Sequence, residues 1–122
     1  MVRRLRSGQL EGLVLDVLWD ADRPMTPRQV NEALHSQREV AYTTVMTILV
    51  RLWQKGILAR EPAGRGFAYR PKVSREERVA SRMEEVLAAA ADRSTALARF
   101  VESLPADEVR SLRRLMSRSK KG

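Results

Sequence analysis

The stretch that decides the fold runs from Tyr42 to Pro71 and reads YTTVMTILVRLWQKGILAREPAGRGFAYRP. Its first part, as far as Lys55, predicts a helix, because apolar residues recur there at helical spacing. Gly56 follows as a natural C-cap. The remainder predicts a hairpin, with strands over residues 58–62 and 67–71 around a glycine-rich tip. The residues expected on the buried stripe of the helix are Val45, Ile48, Leu49 and Leu52.

A second helix comes before this stretch and has the clearest start in the chain. Thr26-Pro27-Arg28-Gln29 is a capping box with proline at the first helical position. Residues 36–39 are expected to form the turn that follows it, and residues 10–18 form an earlier amphipathic helix. Two helices joined by a short turn form a helix-turn-helix, so the hairpin behind them is a wing.

Three further amphipathic helices are expected after Lys72. The first opens with a capping box, Ser74-Arg75-Glu76-Glu77, and Pro105 precedes the last. We therefore expect a fold that is mainly α with a small β wing. A winged helix-turn-helix domain would occupy residues 1–72, and a helical dimerisation region would occupy residues 73–122.

The apolar stripes of these three helices predict a dimer, because they hold more apolar surface than a small winged domain covers by itself. A two-fold partner would cover the stripes and would require a palindromic binding site. The alternative is that the helices fold back on their own winged domain. The residues expected at the dimer interface are Val79, Met83, Leu87, Leu97, Phe100, Val101, Leu104, Leu112, Leu115 and Met116.

Composition points to a nucleic-acid partner and away from catalysis. The 122 residues carry a formal net charge of +8, and 43% of them are hydrophobic, which is enough for a core. With no cysteine and one histidine, we predict no catalytic triad, metal cluster or cofactor site, and no enzyme. No apolar run approaches the ~20 residues that a membrane span needs. We expect a cytoplasmic protein that binds a polyanion.

The helix that begins at Tyr42 contains no acidic residue. Between Val40 and Lys72 the one acid is Glu61, whereas a helix that faces only water usually mixes charges. Thr43 and Thr47 lie on its outer face, where threonine can hydrogen-bond base edges and meet thymine methyl groups. This pattern predicts a recognition helix in the major groove of DNA.

Several other residues are candidates for contacts with DNA. Met46 and Val50 are apolar on the outer face, where they either meet thymine methyls or pack under the wing or the C-terminal helices. Arg28 is expected to meet phosphate beside the N-terminus of its helix. Arg51, Lys55 and Arg60 follow the outward-facing threonines in the sequence and are expected to contact phosphate.

Aromatic residues and the wing tip allow two interpretations. Arg65, between two glycines, contacts phosphate or the minor groove, or is a solvated turn residue. Tyr42 and Tyr69 either bring hydroxyls to phosphate or belong to the core. Trp19 and Trp53 sit beside apolar stripes and are expected in the core. The complete set of candidate DNA contacts is Arg28, Tyr42, Thr43, Thr44, Met46, Thr47, Val50, Arg51, Lys55, Arg60, Arg65 and Tyr69.

Several segments resemble one family of bacterial repressors. Residues 10–19, LEGLVLDVLW, are similar to the first helix of the penicillinase repressors and methicillin-resistance repressors. Residues 41–52, AYTTVMTILVRL, resemble the recognition helix of that family. The resemblance covers nearly the whole chain and includes Lys55-Gly56, Tyr69-Arg70-Pro71 and Ser74-Arg75-Glu76-Glu77.

That resemblance implies a homodimeric winged-helix repressor of β-lactamase or penicillin-binding-protein genes, bound to inverted repeats that often have a TACA-type half-site. In one branch a membrane-bound sensor protease responds to antibiotic, and the repressor is cut at an Asn-Phe bond in its dimerisation region. The equivalent bond here is Arg99–Phe100, with arginine in place of the asparagine. Copper-responsive relatives carry C-terminal cysteines, which this chain lacks. The resemblance implies release by proteolysis or by loss of dimerisation.

Two alternatives stay open. One is a DNA-binding regulator that is released by a small molecule bound between its two regions, although the sequence offers no obvious polar cluster for it. The other is a winged helix that is used only for protein contacts, which predicts no salt-dependent affinity for DNA and fits poorly with an acid-free recognition helix.

Overall fold

The computed structural model describes residues 7–119, and the chain divides after Arg78 into two compact units. Six helices and one hairpin account for most of the described residues. The elements are α1 (Ser7–Ala21), α2 (Pro27–His35), α3 (Tyr42–Gln54), β1 (Leu58–Ala63), β2 (Gly66–Pro71), α4 (Arg75–Ala88), α5 (Arg93–Glu102) and α6 (Ala106–Ser119). The predicted order of elements is confirmed.

One apolar core holds the first unit together. Helices α1, α2 and α3 each turn one apolar face inward, and the predicted stripe of α3 is buried in full. The side chains that form this core are Val14, Leu15, Leu18, Met25, Val30, Leu34, Val45, Ile48, Leu49, Leu52, Ile57, Leu58 and Tyr69. Periodic burial of this kind fixes the rotation of each helix about its own axis.

The helix-turn-helix forms as expected, with a longer turn. The Thr26 hydroxyl accepts from the Gln29 N–H at 3.3 Å, and the Gln29 side chain accepts from the Thr26 N–H at 2.9 Å, which completes the capping box. The turn continues to Ala41, because Val40 packs against the core and its carbonyl accepts from the Asn31 amide at 2.8 Å.

The wing is a two-stranded antiparallel hairpin directly after α3. Gly56 has a φ of 81°, as a residue that ends a helix in the left-handed conformation does. The strands pair in a register that sets Arg60 opposite Tyr69, and the two-residue turn at the tip starts at Gly64 with a φ of 61°. Met25 adds a bridge that the sequence did not reveal, with backbone hydrogen bonds of 2.9 and 2.7 Å to Tyr69.

The segment after Lys72 continues to pack on the first unit. The Trp19 indole N–H donates to the Val73 carbonyl at 3.1 Å. Arg78, in the first turn of α4, lies 3.6 Å from a carboxylate oxygen of Glu11. The first unit therefore extends past Lys72, while the expected assignment of DNA binding and dimerisation to either side of that point stays a prediction.

The helices of the second unit are amphipathic but bury none of their side chains. Helix α4 starts at the predicted capping box, with Ser74 and Glu77 bonded reciprocally at 3.0 and 3.2 Å. Asp92 caps α5, and hydrogen bonds from the hydroxyl and the N–H of Thr95 hold the pKa of this carboxyl below its usual value. In α4, α5 and α6 no residue is buried. Among residues 7–119 no helix has the length and apolar character needed to cross a membrane.

Candidate nucleic-acid interface

The outer face of α3 carries exposed polar side chains from its first turn to its last. Thr43 and Thr47 lie opposite the buried stripe, Thr44 and Arg51 lie at the edge of this face, and all four are open to solvent. Because side chains 100° apart around a helix leave a ridge on the side away from the core, packing at the stripe also decides which residues point outward. The structure thus brings together the hydroxyl-bearing residues that the sequence assigns to base contacts.

The hydroxyl of Thr47 is already used as a donor. Its Oγ1 donates to the Thr43 carbonyl at 2.9 Å, one turn earlier in α3. A threonine hydroxyl has one proton to give and two lone pairs to accept with. What Thr47 presents outward is therefore an acceptor oxygen and a methyl group.

Two apolar side chains on this face are only half-buried. Met46 and Val50 are intermediate in exposure, and neither is among the described half-buried side chains that pack against the core. Their contact with thymine methyls stays a prediction.

Four of the basic residues expected to contact phosphate are exposed or half-exposed. Arg51 is exposed in the last turn of α3, and Arg65 is exposed in the turn at the wing tip. Arg28 is exposed at the second position of α2, beside backbone N–H groups at that helix's N-terminus. The Lys55 ammonium is half-exposed and lies 3.9 Å from the carboxylate of Glu11, so only part of its field is neutralised.

Arg60 does not stand free beside these four. Its guanidinium carbon lies 3.4 Å from the centroid of the Trp53 ring and 3.9 Å from that of the Phe67 ring. The expectation that Trp53 belongs to the core is wrong, because its ring is 36% exposed and stacks on this guanidinium. Trp19, by contrast, packs against the core as predicted.

Sequence reasoning missed this stack, although one signal was present. A two-residue turn at the hairpin tip sets Phe67 diagonally next to Arg60 on one face of the wing, within reach of a long side chain. The approach of Trp53 from α3 depends on tertiary packing and has no counterpart in sequence spacing.

The two tyrosines behave differently. Tyr42 is 49% exposed at the first position of α3, so it remains a candidate for a phosphate contact. Tyr69 is 2% exposed and belongs to the core, and its hydroxyl accepts from the Arg60 guanidinium at 3.4 Å. The prediction that Tyr69 contacts DNA is therefore corrected, because its ring is covered and its hydroxyl is engaged inside the first unit.

No group of three or more potential metal ligands occurs among residues 7–119. The interface described above is instead a surface of acceptor oxygens, methyl groups and guanidinium groups. Acceptors and methyl groups suit base edges, and cations suit phosphates.

Comparison with known proteins gives one family match and several structural likenesses. Residues 7–118 match the model of a family described as penicillinase repressor. The chain is 43% identical over 125 residues to the transcriptional regulator BlaI of Mycobacterium tuberculosis, an alignment that spans 100% of this chain and 91% of that protein. The solution structure of the DNA binding domain of the repressor BlaI is 26% identical, with a TM-score of 0.49, over 63% of this chain and 93% of that one. The complex structure of hsRosR-S1 is 21% identical, with a TM-score of 0.50, over 88% and 95%.

Proposed function

Because the chain belongs to the penicillinase repressor family, we propose that it is a transcriptional repressor that binds palindromic operator DNA as a homodimer. The observation that carries the proposal is the outer face of α3. This face is exposed and free of acids, presents Thr43 and Thr47, and has Arg51 at its end. A helix with this face fits the major groove, where base edges are read and flanking phosphates are neutralised.

The wing and α2 extend this surface to the phosphate backbone. Arg65 at the wing tip and Arg28 at the start of α2 are both exposed. With Arg51 and Lys55, they give each head four cations for phosphate oxygens. Such contacts position the protein and make its affinity depend on salt, while the face of α3 selects the sequence.

The homodimer is supported by the unburied stripes of the second unit. Val79, Met83, Leu115 and Met116 are each more than half exposed in the single chain. Burying a fully exposed side chain of this kind stabilises by about 1.5–3 kcal/mol, and covering the exposed half of each of these contributes about half as much, so the stripes together favour a partner that covers them. A second copy supplies matching stripes and a second recognition helix, which a palindromic operator requires.

The proposal also includes release of the repressor from DNA by proteolysis. The Arg99–Phe100 bond lies inside α5, a helix of ten residues in which no side chain is buried. Proteases cut extended chain, so α5 has to unwind locally before cleavage, and a helix of ten residues is short enough to be marginally stable by itself. Cutting there would separate α6 from the rest of the interface and so weaken the dimer and its grip on two half-sites.

Repression acts on chromosomal DNA, so the proposal places the protein in the bacterial cytoplasm and its targets among β-lactamase or cell-wall genes. The test is footprinting of genomic fragments with the full chain, followed by titration of the protected site and of a scrambled site at several salt concentrations. If a dimer neutralises ~6–10 phosphates, the log–log slope of affinity against salt should be about −5 to −9. Equal affinity for both sites, or a slope near zero, would remove the proposal.

A further inference from the structure

Arg60 is held between two aromatic rings that come from different elements. Trp53 lies in the last turn of α3 and Phe67 lies in β2, with ring centroids 3.4 and 3.9 Å from the guanidinium carbon. On the same face of the wing, the Arg60 Nη1 donates to the Tyr69 hydroxyl at 3.4 Å. The side chain therefore joins α3 to both strands of the wing.

This arrangement holds the Arg60 guanidinium in one place within the first unit. The guanidinium carbon lies over the faces of two aromatic rings, and one of the five guanidinium N–H groups is donated inside the first unit. A cation between two rings is stabilised by the quadrupoles of both, so moving it to a phosphate would sacrifice both contacts. Trp53 and Phe67 are 36% and 38% exposed, so the stack lies at the surface of the first unit.

We propose that the stack of Trp53, Arg60 and Phe67 fixes the wing against the recognition helix, and that the contact of Arg65 with DNA depends on it. The inference rests on the proposed binding of operator DNA. Arg60 is on this account a positioning residue, whereas Arg65 touches the DNA.

The physical reason is that a two-stranded hairpin is marginally stable by itself. Leu58 and Tyr69 anchor the base of this wing in the core, but the tip at Arg65 lies beyond them and is exposed. A tip held by the stack meets DNA already ordered, whereas a loose tip loses conformational entropy on binding. Lysine replaces arginine poorly here, because its ammonium is not planar and gives neither the stacking on the rings nor the same donor geometry toward Tyr69.

The test uses the full chain with four variants: Arg60→Lys, Arg60→Met, Arg65→Ala, and Arg60→Met combined with Arg65→Ala. We expect Arg60→Lys to lose operator affinity nearly as much as Arg60→Met, on the order of tenfold, although it keeps the charge. Arg65→Ala should cost a similar factor in the wild-type background and much less in the Arg60→Met background.

A direct contact between Arg60 and phosphate predicts the opposite on both counts. Arg60→Lys would then bind almost as well as the wild type, and the losses from Arg60→Met and Arg65→Ala would multiply in the double variant. Either result overturns the inference. Circular dichroism of each variant, compared with that of the wild type, checks that the fold is intact.

A measurement without DNA separates this inference from the proposed function. Acrylamide quenching of tryptophan fluorescence should increase in Arg60→Met, because the covered face of Trp53 becomes accessible, and the increase should vanish when Trp53→Phe is added. Unchanged quenching shows that the stack is absent in solution and overturns the inference. If the wild type fails to bind operator DNA, the proposed function fails, whatever the quenching result.

Discussion

The Thr47 hydroxyl donates to the Thr43 carbonyl at 2.9 Å, and this bond limits what Thr47 can read on DNA. With its proton engaged, the oxygen can only accept. In the major groove the hydrogen-bond donors are the amino groups of adenine N6 and cytosine N4. Thr47 is therefore suited to a base that carries an exocyclic amino group there, and its methyl group is suited to a neighbouring thymine.

Replacing Thr47 with valine should remove the base contact and keep the shape. We expect Thr47→Val to lose about 1–3 kcal/mol of binding free energy on the operator and little on scrambled DNA, because base contacts carry the specificity. Thr47→Ser keeps the oxygen and is the matched control. Titration of both variants against both DNAs is the measurement, and a Thr47→Val protein with undiminished preference for the operator would contradict the assignment.

A complementary check changes the DNA: each adenine of the half-site is replaced in turn by the unsubstituted base purine, which lacks the 6-amino group. At the position that Thr47 reads, loss of the amino group should weaken the wild type and leave Thr47→Val unaffected.

Arg51→Ala should weaken binding to operator and scrambled DNA by similar factors. Arg51 is exposed in the last turn of α3, and the proposed function assigns it a phosphate contact rather than a base contact. Loss of one phosphate contact from each head of a dimer should reduce the salt slope by about 2. Arg99→Ala removes the same charge from an exposed position in α5 and should change the slope far less. If both variants reduce the salt slope by the same amount, the effect comes from net charge and not from a contact between Arg51 and phosphate.

If the chain forms the proposed homodimer, Phe100→Asp should convert it to a monomer. Phe100 is 45% exposed on the apolar stripe of α5, and a carboxylate buried at an interface without a partner is costly. Sedimentation should show the monomer at micromolar concentration, and affinity for the full palindrome should fall by orders of magnitude, because two linked heads bind with a high effective concentration.

Arg99→Asp is the matched control, since it places the same group on the opposite side of α5. This variant should leave both the mass measured by sedimentation and the affinity for the full palindrome almost unchanged. A monomeric wild type, or a Phe100→Asp variant that binds the palindrome as tightly as the wild type, would exclude the dimer model.

Glu11→Ala should destabilise the first unit by about 3 kcal/mol, because it leaves the Arg78 guanidinium without its charge partner. The two side chains are 11% and 12% exposed, and their ion pair spans 3.6 Å, beyond direct hydrogen-bond distance. Urea denaturation is the measurement. Asp20→Ala removes an exposed carboxylate 3.5 Å from Arg75 and should cost less than about 1 kcal/mol. Equal costs would show that burial of Glu11 contributes nothing.

Local chemistry was sufficient to determine the elements of this chain. The capping boxes at Thr26 and Ser74, the stop at Gly56 and the turn at Gly64 all occur where short-range patterns place them. Each of these signals acts over a few residues, through one or two hydrogen bonds or one backbone angle. The acid-free face of α3 was equally readable, because helical period alone separates it from the buried stripe.

Tertiary structure alone decided which aromatic and charged residues are covered. Tyr69 is buried beside the bridge that Met25 makes to β2, whereas Trp53 stays at the surface, where Arg60 of the wing stacks on it. Glu11 is buried against Arg78, a residue far along the chain. In each case the outcome depends on which distant element arrives at that face, and amphipathic side chains such as Tyr, Trp, Glu and Arg are compatible with either environment. The periodicity of the sequence shows which side chains share one face of a helix or strand. Whether that face is buried depends on which other element packs against it.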